Sequence, residues 1–334
     1  MFLKIKLKIE KELRSYANNL DKTYRLSSLS PLLLKSIKEF ILRDGKRVRP
    51  VLFCIGYLGY AKKDTPGLYR SALALELLHD FMLVHDDIID KSLTRRGKPS
   101  MHALLGADLA IVIGDVIYAL ALDAFYAVKE NPVRKERALR KLISAALFTA
   151  SGEFIELLLG AKPIEKVTQA DIYKIYDYKT ANYTFSSPLT MGAILAGAKE
   201  NEIKKLFNYG IRLGRAFQIK DDIIGTFGKE SETGKSNFAD FESAKKTLLI
   251  WRAYNKSGAR DKKIIKEVFA GKLTRQEGLE DMRRVIKDSG ALDYAKSQIN
   301  GLIKQAQNSI GSLSMRGAWR KTLDEFSRKM LSLK

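Results

Sequence analysis

Residues 68–90 read LYRSALALELLHDFMLVHDDIID. Leucine, alanine and methionine occupy so much of this stretch that a helix built from it is apolar nearly all round, as befits the centre of a bundle rather than its surface. Residues 141–160 (KLISAALFTASGEFIELLLG) and 203–225 (IKKLFNYGIRLGRAFQIKDDIIG) repeat the pattern. Period-two alternation with β-branched residues is scarce. The expected fold is therefore all-α: a single large helical bundle around a deep central cavity, with residues 260–334 as further amphipathic helices outside it.

The same segment ends in Asp86, Asp87 and Asp90, and residues 216–228 (AFQIKDDIIGTFG) carry Asp221 and Asp222 in the same kind of apolar setting. Residues four apart on a helix share one face about 6 Å apart, so Asp86 and Asp90 are neighbours. Buried like charges are costly without a countercharge. Carboxylates lacking partner cysteines or paired histidines form oxygen sites. Mg²⁺ typically takes one or two of them and fills its other positions with water and substrate phosphates. Phosphate oxygens that no metal reaches need cations, arginine as a fork and lysine as a point charge. Such residues occur at Lys46 and Arg49 in DGKRVRP, at Arg95 and Arg96 after the first acidic motif, at Lys179 in YKTANY, and at Lys235 and Lys245 after the second. His79 lies two helical turns before Asp86, on nearly the same face.

Taken in this order, the motifs resemble those of the trans-type polyprenyl diphosphate synthases of the geranylgeranyl and farnesyl kind, over roughly residues 40 to 250. The resemblance implies the isoprenoid-synthase type of helical bundle, with the two acidic motifs facing each other across the mouth of the cavity. It assigns Asp86, Asp87, Asp90, Asp221 and Asp222 to Mg²⁺, three ions per site, and, together with Lys179, to catalysis. Arg95, Lys179, Thr180, Gln218, Lys235 and Lys245 would hold the allylic diphosphate. Lys46, Arg49, His79 and Arg96 would hold isopentenyl diphosphate. The chain departs from the family pattern at Gly225, where a third aspartate is common, and at Ala244, where a glycine usually precedes the last lysine.

The chemistry so implied is ionisation of the allylic diphosphate to a delocalised cation, attack by the isopentenyl double bond, and loss of a proton to the departing diphosphate. Phe81, five residues before Asp86, and its neighbour Met82 are the implied chain-length residues, pointing to a C20 product, geranylgeranyl diphosphate. On a helical wheel Met82 lies about 40° from the Asp86 direction and Phe81 about 140° from it, so farnesyl and longer products stay open. A non-catalytic modulating subunit and a terpene cyclase are the competing readings. The first would be expected to lose an acidic motif, and the second to lack the Lys46, Arg49 and Arg96 set.

Composition bounds the rest. The chain has 334 residues, 46% of them hydrophobic, and its seven prolines mark no linker, so residues 1–334 are expected to form one domain. The net charge of +21 would suit nucleic acid, but the basic residues are spread along the whole sequence without a recognisable binding motif. The single Cys54 rules out a disulfide framework and a thiolate zinc site, which points to a reducing cytoplasm. The longest apolar run, residues 103–125, is interrupted by Asp108, Asp115 and Asp123, so no transmembrane segment is expected. Peripheral contact with anionic lipid is open to so basic a chain. The family resemblance further implies a homodimer.

Overall fold

The computed structural model describes residues 1–228 and 237–331. Lys235 lies outside the described residues. The chain is all-α, and among the described residues the only strands are the two-residue pair Thr94–Arg95 and Lys98–Pro99. It forms two compact units, each assembled from separated stretches. The first comprises Met1–Ile143, Ser187–Ile203 and Ser314–Leu323; the second comprises Ser144–Ser186, Lys204–Leu313 and Asp324–Lys334.

The first unit is organised around α5 (Leu68–Ile89), which packs against α1 (Phe2–Tyr24), α4 (Val48–Tyr60) and α7 (Ala107–Phe125). From Leu68 to Leu78 nearly every side chain of α5 is buried, as its sequence anticipates. Its start is set by Gly67 at φ 80°, where an added Cβ would lie 1.9 Å from the Ala127 carbonyl oxygen, so no other residue fits. Helix α4 in turn packs on α10 (Ser187–Leu195) at reciprocal glycines. A Cβ on Gly56 would stand 2.2 Å from the Leu189 oxygen, and one on Gly192 would stand 2.1 Å from the Phe53 oxygen. The two backbones meet directly, which brings the α4 amino terminus into a fixed position on the core.

In the second unit, α9 (Gln169–Ile175) begins with a capping box between Thr168 and Asp171 and runs into a π-helical stretch, Tyr176–Ser186. Two glycines of α11 (Glu200–Phe227) and one of α8 (Pro132–Ala161) press on that stretch. A Cβ at Gly152, Gly214 or Gly210 would come within 2.6 Å of backbone at Lys179, Ala181 or Ser186 respectively. Wide π-turns survive where surrounding structure over-determines them, and they recur at functional sites. Helices Leu248–Lys256, Ala259–Phe269, Arg275–Asp288 and Ala291–Ile310 pack on one another through amphipathic faces that include Ile265, Met282, Val285 and Ile299.

Pro132–Ala161 has an 18-residue window of mean hydropathy 1.6, so one helix is long and apolar enough to cross a membrane by length and composition. The sequence reading placed residues 141–160 of this helix in the bundle centre, but only 22% of that window is buried, and Leu147, Phe154, Leu157 and Leu158 are more than half exposed.

Candidate active site

The first acidic motif closes α5. Asp90 is the C-cap residue and its N–H donates to the Asp86 carbonyl at 2.8 Å, so the two carboxylates rise from consecutive turns. Asp87 is fully buried. Arg95 Nε donates to Asp87 Oδ1 at 2.8 Å, a second guanidinium nitrogen bonds the same oxygen, and Arg95 also stands 3.6 Å from Asp86 Oδ2. The guanidinium is buried, which opposes its charge, but Asp87, Asp86 and Asp90 outweigh burial and raise its pKa.

A hairpin brings Arg95 there. The strands Thr94–Arg95 and Lys98–Pro99 pair antiparallel across Arg96 and Gly97, whose φ values are 55° and 73°. Two central residues with positive φ make a tight turn matched to strand twist. For the non-glycine Arg96 that backbone costs about 1 kcal/mol. Arg43, buried on the other side, holds the hairpin by donating to the carbonyls of Arg95 at 3.3 Å and Pro99 at 2.9 Å.

The turn places Arg96 in a cluster of cations at the α4 amino terminus. Arg47, the left-handed N-cap of α4 at φ 52°, is wholly buried between Glu76 at 2.6 Å and Glu10 at 2.8 Å. Burial and then the guanidiniums of Arg49, Arg96, Arg95 and Arg47 push the His79 imidazole well below its usual pKa, so that it stays neutral. The guanidiniums bearing on this neutral histidine are forked donors suited to a multiply charged anion, although Glu10, Glu76, Asp80 and Asp87 offset part of their charge. Lys46 is exposed on the same loop. Thus Arg49, His79 and Arg96, grouped by the sequence reading, lie together, and Arg95, which that reading gave to the allylic diphosphate, bears on the same imidazole. Arg47 was missed, and Glu10, which holds it from α1, has no local signal at all.

The chain-length residues lie beside this motif. Phe81 is half-buried, with ring centroids 4.7 Å from His85 and 5.0 Å from Tyr118 of α7. Gly114 on α7 admits His85, since a Cβ there would stand 2.6 Å from its Nε2. Met82 is half-buried too.

In the second unit the π-helical stretch and α11 share a hydrogen-bonded chain. Thr180 Oγ1 donates to Gln218 Oε1 at 2.7 Å, and Gln218 Nε2 donates to Asp222 Oδ1 at 3.0 Å. Tyr176 donates its hydroxyl proton to Asp222 Oδ2 and accepts from the Leu248 N–H at 2.9 Å. Asp222 is buried, and its pKa is pushed up to about 8, the Tyr176 and Gln218 hydrogen bonds opposing burial and the charges of Asp240 and Asp221 adding to it. Asp221 is exposed. Lys179 forms ion pairs with both Glu153 and Glu156 of α8.

Both departures from the family pattern acquire a physical context. A Cβ on Gly225 would lie 3.2 Å from Asp240 Oδ2, so a carboxylate from a later segment stands beside the position where a third aspartate is common. Ala244 has φ 52°, the left-handed backbone for which glycine is the usual choice, and it is followed by Lys245, 3.6 Å from Asp240. Tyr176, Glu153, Glu156 and Asp240 were not anticipated. A tyrosine and acidic residues in so charged a sequence carry no spacing signal.

Among the described residues no three His, Cys, Asp or Glu side chains converge as a ready-made metal cage. Asp86 and Asp90, on consecutive turns of α5, offer the one or two carboxylates through which Mg²⁺ is typically held, with water and phosphate completing its shell.

The sequence matches the polyprenyl synthetase family over residues 30–288. It is 32% identical over 331 residues to the geranylgeranyl diphosphate synthase of Sulfolobus acidocaldarius, covering 95% of this chain and 96% of that one. It is also 32% identical to the geranylfarnesyl diphosphate synthase of Aeropyrum pernix, covering 92% of each. The crystal structure of geranylgeranyl pyrophosphate synthetase from Pyrococcus horikoshii superposes with a TM-score of 0.84 at 27% identity, covering 100% of this chain and 98% of that one.

Proposed function

The chain belongs to the polyprenyl synthetase family, and from that premise we propose that it is a chain-elongating prenyltransferase that condenses isopentenyl diphosphate with an allylic diphosphate to make the C20 product, geranylgeranyl diphosphate. The observation that carries the reading is the set of guanidiniums bearing on a neutral His79, two turns before the paired carboxylates on the same helix, α5. Anion-binding cations from the α4 start and the hairpin, gathered beside metal-binding acids on α5, are what two diphosphate substrates require.

In this reading Asp86, Asp87, Asp90, Asp221 and Asp222 would hold Mg²⁺, with Asp87 also orienting Arg95 beside them. When bound, the metal would offset the charge that builds on the departing diphosphate. Lys179, Thr180, Gln218 and Lys245 would position that diphosphate, and Asp240 would serve the second acidic cluster where Gly225 offers no side chain. Lys46, Arg49, His79 and Arg96 would fix isopentenyl diphosphate. Preorganised charges of this kind need no reorganisation as charge develops, which is the main source of acceleration when the protein supplies no covalent chemistry.

Phe81 stacked on Tyr118 supports a floor below the first aspartates, and the geranylgeranyl diphosphate synthase of Sulfolobus acidocaldarius favours C20. The Aeropyrum pernix relative, whose name gives a longer product, makes C25 the competing length. A homodimer is supported by apolar side chains left on the surface of the single chain. Leu109 and Val112 on α7, and Leu147, Phe154 and Leu158 on α8, are all more than half exposed. Contact with anionic lipid is supported by α1, whose outer face carries exposed Leu3 and Leu7 among Lys4 and Lys11. The lone buried thiol Cys54 fits a cytoplasmic setting.

The test is to incubate the protein with Mg²⁺, isopentenyl diphosphate and, separately, C5, C10 and C15 allylic diphosphates, then size the products. Growth that stops at C20 is expected. Failure to elongate any primer overturns the reading.

A further inference from the structure

Among the acids that pair with the cationic cluster, Asp80 is the one whose carboxyl oxygens are both without a hydrogen bond among the described residues. It is completely buried on α5. Its ion-pair partner is Arg96, whose guanidinium stands 3.4 Å from Asp80 Oδ1 and 3.5 Å from Glu76 Oε1 one turn earlier. Arg96 therefore spans two carboxylates on one face of α5. The other charged groups bearing on Asp80 are Arg47 and Arg49 at the start of α4, with His79 beside it in the chain and Glu10 behind Arg47. A buried carboxylate without hydrogen bonds is costly to keep ionised. Burial and the charge of Glu76 push its pKa well above the carboxylate range, while Arg96, Arg47 and Arg49 pull it down.

We propose that Asp80 is an internal counter-ion of Arg96 that an incoming diphosphate must displace, so that this one side chain limits how tightly the homoallylic substrate is held. The inference rests on the reading of the His79 cluster as the isopentenyl diphosphate pocket. Asp80 and a phosphate oxygen compete for the same guanidinium. When Arg96 turns to phosphate, Asp80 is left buried without its partner, and the carboxylate takes a proton from solvent. Competition is then weak at low pH, where the acid is already neutral, and grows as pH rises.

The experiment titrates the full chain with inorganic diphosphate, without divalent metal, between pH 6 and 9. Wild type, Asp80→Asn and Arg96→Ala are compared. Asp80→Asn keeps the volume and removes the charge, and one unit charge a few ångströms from a bound anion is worth about tenfold in affinity. The expected result is a Kd about tenfold lower than wild type at the alkaline end, with the ratio shrinking toward pH 6. Comparing the two proteins at each pH cancels the titration of the ligand itself. In steady state the KM for isopentenyl diphosphate should fall while kcat does not rise; simple loosening of the fold would raise KM. Equal affinities at every pH, or weaker binding by Asp80→Asn, overturns the proposal. If the wild type binds no diphosphate, or Arg96→Ala binds as well as wild type, the pocket reading itself fails. Should the asparagine variant not fold, Asp80→Thr, close in volume and uncharged, is read by the same criteria.

Discussion

Replacing Tyr176 by Phe removes one oxygen from a buried relay and leaves two groups without partners. The Leu248 N–H, which donates to the tyrosine hydroxyl at 2.9 Å, loses its acceptor, and Asp222 Oδ2 loses its donor. Each orphaned buried polar group costs about 1–3 kcal/mol, so the loss should be about 2–6 kcal/mol, with no cavity to enlarge it because the ring stays. Urea unfolding of the metal-free protein followed by circular dichroism measures this directly, since the midpoint moves while the slope is unchanged. Asp222 should also be harder to ionise, because the Tyr176 hydrogen bond is the largest influence lowering its pKa. The Mg²⁺ dependence of the reaction should accordingly shift to higher concentration in the variant. A stability loss below about 0.5 kcal/mol, the scatter of ordinary surface changes, would refute the relay as a structural element.

Asp222 binds a proton more tightly when folded, since its pKa of about 8 lies well above the ordinary aspartate value of 3.8. Its contribution to the metal-free protein is thus complete below about pH 4 and is lost as pH rises toward 8; Asp222→Asn should flatten that part of a Tm-versus-pH profile. Asp86→Ala should lower kcat by several orders of magnitude with the helical circular dichroism spectrum unchanged, because the lost interaction acts in the transition state. A loss under tenfold removes Asp86 from the metal set. Phe81→Ala should lengthen the product, and an unchanged chain length would move the floor to Tyr118 or elsewhere.

The central helices and the acidic motifs were legible because they are local properties. Apolar residues all round α5, and aspartates four residues apart, can be read without knowing what lies across the fold. Arg95 and Arg96 were found from their place behind the motif. Their partners were not, since Asp87 with Arg95, and Asp80 with Arg96, depend on a two-residue turn in left-handed backbone at Arg96 that sequence alone would have reserved for glycine. Arg47 looked like one more basic residue in a chain of net charge +21. Burial between Glu10 and Glu76, 37 and 29 residues away, makes it part of the scaffold instead.

Helix type, the order of the motifs and the class of ligand they suit were thus determined by the sequence itself, through periodicity and the chemistry of closely spaced side chains. What only the tertiary structure decided is which charges face one another. Asp80 beside Arg96, Tyr176 on Asp222 and Asp240 beside Gly225 each join side chains that no helical or strand spacing relates. Coulomb energies and desolvation depend on distance and burial, and neither is a function of separation along the backbone.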